Sequence, residues 1–314
     1  MTIDLHMHSN ASDGALPPEA VVDLCALMGV ELMSLTDHDA TTGLAAAAAQ
    51  AKRRGIRFIP GVEASASYGG QSIHIVGLGI DGESETAAQF FADVAAKREA
   101  RGRRIGEIFA ERFGIEGAYE GAVKAAGGTK NLSRTHFASW LHEQGYVPTY
   151  QAAFDKYLRN GAPCAVGSIW PSVPEVVDGI VRSGALPVLA HPGRYRFPNS
   201  WELYELIKCF VRAGGVGIEV TSGSQPAAAD AAMADIAADL KLLASTGSDW
   251  HSLRSSRPLP GTQPMFSKRL SPVWQALGFD LPVPDPVPPM TPENLSAPVR
   301  QWFEQSGEAF AAAS

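Results

Sequence analysis

Five of the eight histidines, His6, His8, His38, His191 and His251, stand in short polar clusters at the ends of apolar runs. His6-Met7-His8 closes the first run, and residues i and i+2 of a strand project to the same side, so both imidazoles can face one ion. Asp13-Gly14 follows in a loop, and the second run ends in Thr36-Asp37-His38-Asp39. Glu63 ends a third run after Gly61, and His74 sits inside a fourth. His191-Pro192 closes Val188-Leu189-Ala190, and Ser248-Asp249-Trp250-His251 closes the last. An isolated H-x-H is weak, because loop histidines are commonly just solvated. Repetition at successive run ends is what singles out His6, His8, Asp13, His38, Glu63, His74, His191, Asp249 and His251 as metal ligands. Imidazoles and carboxylates without thiolate suit manganese, zinc or iron. Within Ser72-Ile73-His74-Ile75-Val76, His74 also reads as a core histidine. Asp37 and Asp39 read as acceptors that orient imidazoles or cap the next helix.

Residues so far apart in sequence meet only if the fold gathers the run ends. The apolar β-type runs are Ile3–His8, Glu31–Thr36, Ile56–Val62, Ser72–Leu78, Leu186–Ala190, Val216–Val220 and Leu242–Ser245. Helical patterns separate them at Pro17–Met28, Thr42–Arg54, Val173–Ser183, Trp201–Ala213 and Pro226–Leu240. That alternation predicts a parallel sheet with crossover helices, closed as a barrel, whose catalytic groups converge at the carboxyl ends of the strands. Between Glu83 and Ala165 the alternation gives way to helical stretches at Thr86–Phe113, Tyr119–Ala126, Arg134–Gln144 and Tyr150–Asn160. After Arg257 the chain is rich in proline. The expected organisation is a barrel from residues 1–83 and 166–257, a helical cap from 84–165, and an extended wrap from 258–314.

Taken in order, H-x-H, S-D-G, T-D-H-D, G-V-E, H-P and S-D-W-H resemble the polymerase-and-histidinol-phosphatase (PHP) family of metal-dependent phosphoesterases. The inserted Arg134-Thr135-His136 and Tyr157-Leu158-Arg159-Asn160-Gly161 are similar to the branch of nucleoside 3′,5′-bisphosphate phosphatases and short-RNA 5′→3′ exonucleases. The resemblance implies an α/β fold, a distorted seven-stranded TIM-like barrel with an inserted all-helical cap. It implies three divalent ions, manganese favoured. His6, His8, Glu63 and Asp249 would hold the first, Glu63, His74 and His191 the second, and Asp13, His38 and His251 the third. A hydroxide held between ions near Glu63, His191 and Asp249 would attack phosphorus. The implied reaction is hydrolysis of the 3′-phosphate of adenosine 3′,5′-bisphosphate to AMP and phosphate, with trimming of short RNA from its 5′ end as a second activity.

A cap over such a site must hold the anionic part of the substrate that the ions do not. Lys97, Arg98, Arg101, Arg103 and Arg104 crowd one helix, where Lys97, Arg101 and Arg104 are expected to share a face. Lys130-Asn131-Leu132-Ser133-Arg134 precedes another helix, with Ser133 as its N-cap, and a helix N-terminus beside an arginine is a phosphate site. Substrate contacts are therefore expected from Arg101, Gly102, Asn131, Arg134 and Arg194, together with Asp13 and His38 at the metals. His136 reads first as a helix-packing residue.

With 26 basic and 33 acidic residues the formal charge is −7, which argues against a general nucleic-acid coat. At 45% hydrophobic residues the chain can bury a large core. Its first residues lack the basic and apolar segments of a signal peptide, and Cys25, Cys164 and Cys209 form no C-x-x-C pair, so the expectation is a soluble cytoplasmic protein. Histidinol phosphate or another small phosphomonoester is the alternative substrate. A non-catalytic binding module would be expected to lack ligands, and amide hydrolysis on such a barrel usually employs a carboxylated lysine; this chain has nine candidate ligands and no lysine at a run end.

Overall fold

The computed structural model describes residues 2–82, 84–129, 132–159, 161–253, 257–287 and 295–306. Seven strands lie side by side in chain order: β1 (Ile3–Asp4), β2 (Leu32–Leu35), β3 (Arg57–Tyr68), β4 (Gln71–Leu78), β5 (Leu186–Leu189), β6 (Gly217–Ser222) and β7 (Leu243–Gly247). Residues just past β1 and β7 close the sheet on itself. Leu5 N donates to Thr246 O at 3.2 Å, Asp249 N to His6 O at 2.8 Å, and His8 N to Trp250 O at 2.9 Å. The architecture is the distorted TIM-like barrel expected.

One strand runs against expectation. β4 is antiparallel to both β3 and β5, so the sheet is mixed rather than parallel. The cause is local: Gly69 and Gly70, at φ +54° and +76°, make a two-residue hairpin turn that only positive-φ residues accept readily. β3 also continues past Glu63 to Tyr68, paired along its length with β4. Reversal has a useful consequence. The first half of β4, carrying His74, lies at the same barrel end as the carboxyl ends of the parallel strands.

Outside the sheet lie α1 (Pro18–Leu27), with proline at its first turn, and α2 (Leu44–Arg54), ended by left-handed Gly55. After β4 come α3 (Glu85–Phe113), α4 (Ala118–Ala125), α5 (Arg134–Glu143) and α6 (Tyr150–Ala153), the last continued by a π turn at Phe154–Leu158. These helices bury a separate core around Ile105, Phe109, Phe137, Leu141 and Tyr157. α7 (Val173–Arg182), α8 (Ser200–Arg212) and α9 (Asp230–Asp239) then alternate with β5, β6 and β7. The proline-rich C-terminal part is not wholly extended. It includes α10 (Val273–Ala276) and α11 (Ala297–Ser306), and Trp274, Val299 and Phe303 are buried in the barrel's hydrophobic core. No described helix is long and apolar enough to cross a membrane.

Candidate metal centre

The fold brings all nine sequence-predicted ligands to one end of the barrel. Glu63, on β3, stands at the centre. Its Oε2 is 3.1 Å from His6 Nε2, 3.2 Å from His8 Nε2 and 3.1 Å from His38 Nδ1. Its Oε1 is 2.9 Å from both His74 Nδ1 and His191 Nε2. Asp249 Oδ1 lies 3.2 Å from His8 Nε2 and 3.5 Å from His6 Nε2, and Asp13 Oδ1 lies 3.3 Å from His251 Nε2. Ligand-type atoms group as His6, His8, Glu63 and Asp249; as His8, Asp13, His38 and His251; and as His38, Glu63 and His74. The first set coincides with the expected first ion. The other two differ in composition: His8 joins Asp13, His38 and His251, while His38 stands with Glu63 and His74, and His191 touches them through Glu63.

Among the described residues, nine of the fourteen buried side-chain nitrogen and oxygen atoms without a hydrogen-bond partner belong to eight of these nine residues. They lie close together yet are not aligned as hydrogen bonds. Lone pairs that converge without donors between them are what a cation requires, and an uncompensated buried set of this kind is otherwise costly. The residues therefore fit divalent ions. Backbone strain points to the same place, since His191 and Asp249 have φ +30° and +51°, conformations costing about 1–3 kcal/mol that persist at functional sites.

Several residues outside the expected set hold the ligands in place. Glu219, in the middle of β6, accepts from His6 Nδ1 at 2.7 Å and from His191 N at 2.7 Å. That bond puts the proton on Nδ1 and leaves Nε2 of His6 toward Glu63 and Asp249. Tyr195 joins the strands bearing His74 and His191, its hydroxyl accepting from His74 N at 2.8 Å and donating to Ala190 O at 3.1 Å. Arg257 donates to Asp249 O at 2.6 Å, lies 3.1 Å from Asp249 Oδ2 and touches His251 Nδ1. Asp37 and Asp39 do otherwise than expected. Asp37 accepts from Ser9 N, Ser9 Oγ and Ser12 Oγ, which shapes the loop after His8. Asp39 pairs with Arg98 and accepts from Ser65, and α2 begins at Gly43 without a side-chain cap. Replacing Glu219 with Gln is expected to weaken metal binding about 10- to 100-fold, the usual cost of losing such an outer partner. Titration against a competing chelator measures it; unchanged affinity would count against this role.

Electrostatics divides the histidines. Burial opposes charge on His6 and His8, but Glu219, Glu63 and Asp249 overcome it at His6, and Asp249 and Glu63 raise His8 to about 9. Burial dominates at His38, His191 and His251, which are pushed below the ordinary value of 6.5. Burial opposes charge on Glu63, Asp13 and Asp249 as well, but they stay well below the carboxylate range because neighbouring imidazoles, and at Asp249 first of all Arg257, favour their charged forms. For chelator-treated protein the signs follow. The raised His8 contributes stability that is complete below the unfolded value of about 6.5 and lost as pH rises through about 9, and His6, raised well above its ordinary value, acts in the same direction. The depressed histidines lose stability as pH falls below about 6.5. Thermal melts from mildly acidic to alkaline pH should show a maximum near that value, and a curve rising steadily to pH 9 would contradict the assignment.

A line of arginines leads away from this cluster. Arg194 Nη1 is 3.6 Å from Asp249 Oδ2, on the side of that carboxylate shared with Arg257. Arg134, the first residue of α5, donates to Leu158 O at 3.0 Å and senses Arg194, and Arg101 in turn senses Arg134. Arg101 is 9% exposed, and among the described residues its guanidinium has no hydrogen-bonded acceptor. Burial, then Arg134 and Arg98, push it down to about 9, still charged at neutral pH. A buried cation beside like charges wants an anion. The expected helix face is corrected: Arg98 and Arg101 point inward, while Lys97, Arg103 and Arg104 are exposed, Arg103 pairing with Glu99 and Arg104 with Glu107. Gly102 lies where a Cβ would meet Leu132 Cδ2 at 2.1 Å, so close packing demands it. Ser133 caps α5 as expected, and His136 Nδ1 accepts from Ser133 N at 3.1 Å. Asn131 lies outside the described residues.

Comparison with known proteins decides the family, since residues 4–223 match the PHP domain. The chain belongs to the PHP family. A 3′,5′-nucleoside bisphosphate phosphatase from Chromobacterium violaceum is 42% identical over 275 residues, covering 88% of this chain and 96% of that one. The 5′-3′ exoribonuclease Rnm of Salmonella typhimurium is 40% identical, covering 79% and 84% respectively. A solved structure from C. violaceum, described as an amidohydrolase with bound sulfate and no metal, superposes with TM-score 0.82 at 41% identity over 88% of this chain and 96% of that chain. Within this PHP domain, Glu219 was legible as an acid inside the apolar Gly217-Ile218-Glu219-Val220. Arg257 carried no such signal.

Proposed function

We propose that this PHP-family chain is a metal-dependent phosphomonoesterase that removes the 3′-phosphate of adenosine 3′,5′-bisphosphate, giving AMP and phosphate. One observation carries the reading: the donor cluster lies against Arg194, whose charge acts on Arg134, which acts in turn on the buried Arg101, a guanidinium without a hydrogen-bonded acceptor among the described residues, so the site suits a substrate with two separated anions. The bisphosphate phosphatase relative supports the same substrate.

His6, His8, Glu63 and Asp249 would hold one ion, Glu63, whose Oε1 meets His74 and His191, would hold a second with those two, and Asp13, His38 and His251, which His8 adjoins, a third, with manganese favoured. Bound divalent ions supply Lewis acidity and lower the pKa of water toward neutrality, which makes a nucleophile available for attack on phosphorus. Glu63, His191 and Asp249 are the residues that would position that nucleophile; His191 Nε2 lies 2.9 Å from Glu63 Oε1, and Asp249 Oδ1 lies 3.5 Å from His6 Nε2. Ser9 and Ser12, the hydroxyls next to His8, already donate to Asp37 and are not poised as nucleophiles. Arg194 reaches the scissile phosphate, while Arg101 and Arg134 hold the 5′-phosphate, with Gly102 and Asn131 as the further contacts expected from the sequence. Asp13 and His38 approach the substrate from the barrel.

We take residues 84–165 as the cap, 1–83 and 166–257 as the barrel, and 258–314 as a C-terminal layer. The exoribonuclease relative favours trimming of short RNA from a 5′-phosphorylated end as a second activity, since the same cations would grip that end. The free Cys25, Cys164 and Cys209 support the cytoplasmic placement read from sequence. A released-phosphate screen of manganese-loaded protein against nucleoside bisphosphates, sugar phosphates and histidinol phosphate tests the reading. Adenosine 3′,5′-bisphosphate should rank first; preference for histidinol phosphate would overturn it.

A further inference from the structure

Helix α3 passes the barrel mouth with two buried arginines three residues apart, and among the described residues Arg98 has hydrogen-bonded acceptors while Arg101 has none. Arg98 is 5% exposed, and both of its Nη groups are engaged, while its Nε has no hydrogen-bond partner among the described residues. Its Nη2 donates to Asp39 Oδ2 and, at 3.4 Å, to Ser65 Oγ, and its Nη1 donates to Leu132 O at 3.3 Å. Its guanidinium carbon lies 4.9 Å from the centre of the Trp170 ring, and that of Arg101 lies 5.3 Å from the same ring. Asp39 in turn accepts from Ser65 N at 2.6 Å and Ser65 Oγ at 2.7 Å, and its own N–H donates to Glu63 O at 2.9 Å. Trp170 is fixed by its Nε1 donating to Ser72 Oγ at 3.0 Å.

A buried ion pair is poor evidence of stabilisation, because apolar residues of similar volume often do as well; its geometry, however, fixes registry. Here the partners of one guanidinium lie on the loop after β2, on β3, on the segment before α5 and on the segment before α7. Those are the segments that bear His38 and Glu63 on one side and lead into Arg134 on the other. We infer that Arg98 is a positioning residue: clamped on Asp39 and Trp170, it sets the span between the donor cluster and the 5′-phosphate grip formed by Arg101 and Arg134. Substrate length is thereby measured against a fixed ruler. This inference rests on the bisphosphate reading above.

The test uses the metal-loaded full chain with Arg98→Gln and Arg98→Lys, measuring kcat and KM for adenosine 3′,5′-bisphosphate and adenosine 3′-phosphate, and metal content. Arg98→Gln should lose about tenfold in kcat/KM on the bisphosphate, chiefly through KM, and leave the monophosphate and the metal content within about twofold, a tenfold change being 1.4 kcal/mol. Arg98→Lys, retaining charge, should recover part of the loss. Should Arg98→Gln not fold, Asp39→Asn removes the partner charge with little change of shape and is read in the same way. Equal slowing of both substrates, or none, while the parent discriminates between them overturns the clamp alone. A parent indifferent to the 5′-phosphate overturns the substrate reading and the clamp with it.

Discussion

Glu63→Gln is expected to lower kcat/KM at least about a thousandfold and to reduce bound divalent metal at two positions rather than one. Five imidazoles approach this one carboxylate, three at Oε2 and two at Oε1. An amide keeps one acceptor but presents an NH2 group to the other set, where it cannot ligate, and it removes one negative charge from a buried cluster. Loss of a single preorganised electrostatic contact typically costs about 2.7–4 kcal/mol, and a group serving two ions loses more than one such contact. Elemental analysis beside steady-state kinetics reads both effects. Full metal content with activity within tenfold of the parent would remove Glu63 from the centre of the account.

Arg134→Ala is expected to narrow the difference between nucleotides with and without a 5′-phosphate by about ten- to a hundredfold while metal content stays intact. A charge-assisted hydrogen bond is worth about 1.5–3 kcal/mol, and 1.4 kcal/mol is one decade of kcat/KM. The position fits that duty: Arg134 opens α5, where the helix end itself favours an anion, and its charge is felt together with those of Arg194 and Arg101. Kinetics on adenosine 3′,5′-bisphosphate and adenosine 3′-phosphate give the ratio directly. If the variant discriminated as sharply as the parent, the cap would not be reading the 5′-phosphate.

The ligand cluster was legible because strand ends of a barrel converge, so residues scattered from His6 to His251 could be assembled without coordinates. The direction of β4 was not read from alternation of strands and helices, although the Gly69-Gly70 pair announced a hairpin. The cap helix failed for a related reason. Periodicity gives neighbours on a helix, but which arc is buried is set by Phe91 against the barrel core and by Ile105 and Ile108 in the cap core, and that stripe runs through Arg98 and Arg101. A charge standing inside an apolar stripe, as at Arg98 and at Glu219, is the mark of a buried partner. Arg257 bears no such mark, since its pairing with Asp249 depends on how the segment after β7 returns to the barrel. In the C-terminal part, proline content masked the Val299 and Phe303 pair, four residues apart and both buried.

The central claim is that water cleaves the 3′-phosphate and spares the 5′-phosphate. Hydrolysis of adenosine 3′,5′-bisphosphate in heavy-oxygen water, with products resolved by chromatography and mass spectrometry, tests it most directly. The account predicts 5′-AMP without label and inorganic phosphate carrying one heavy oxygen from solvent. Adenosine 3′-phosphate as the product, or label in the nucleotide, would contradict it.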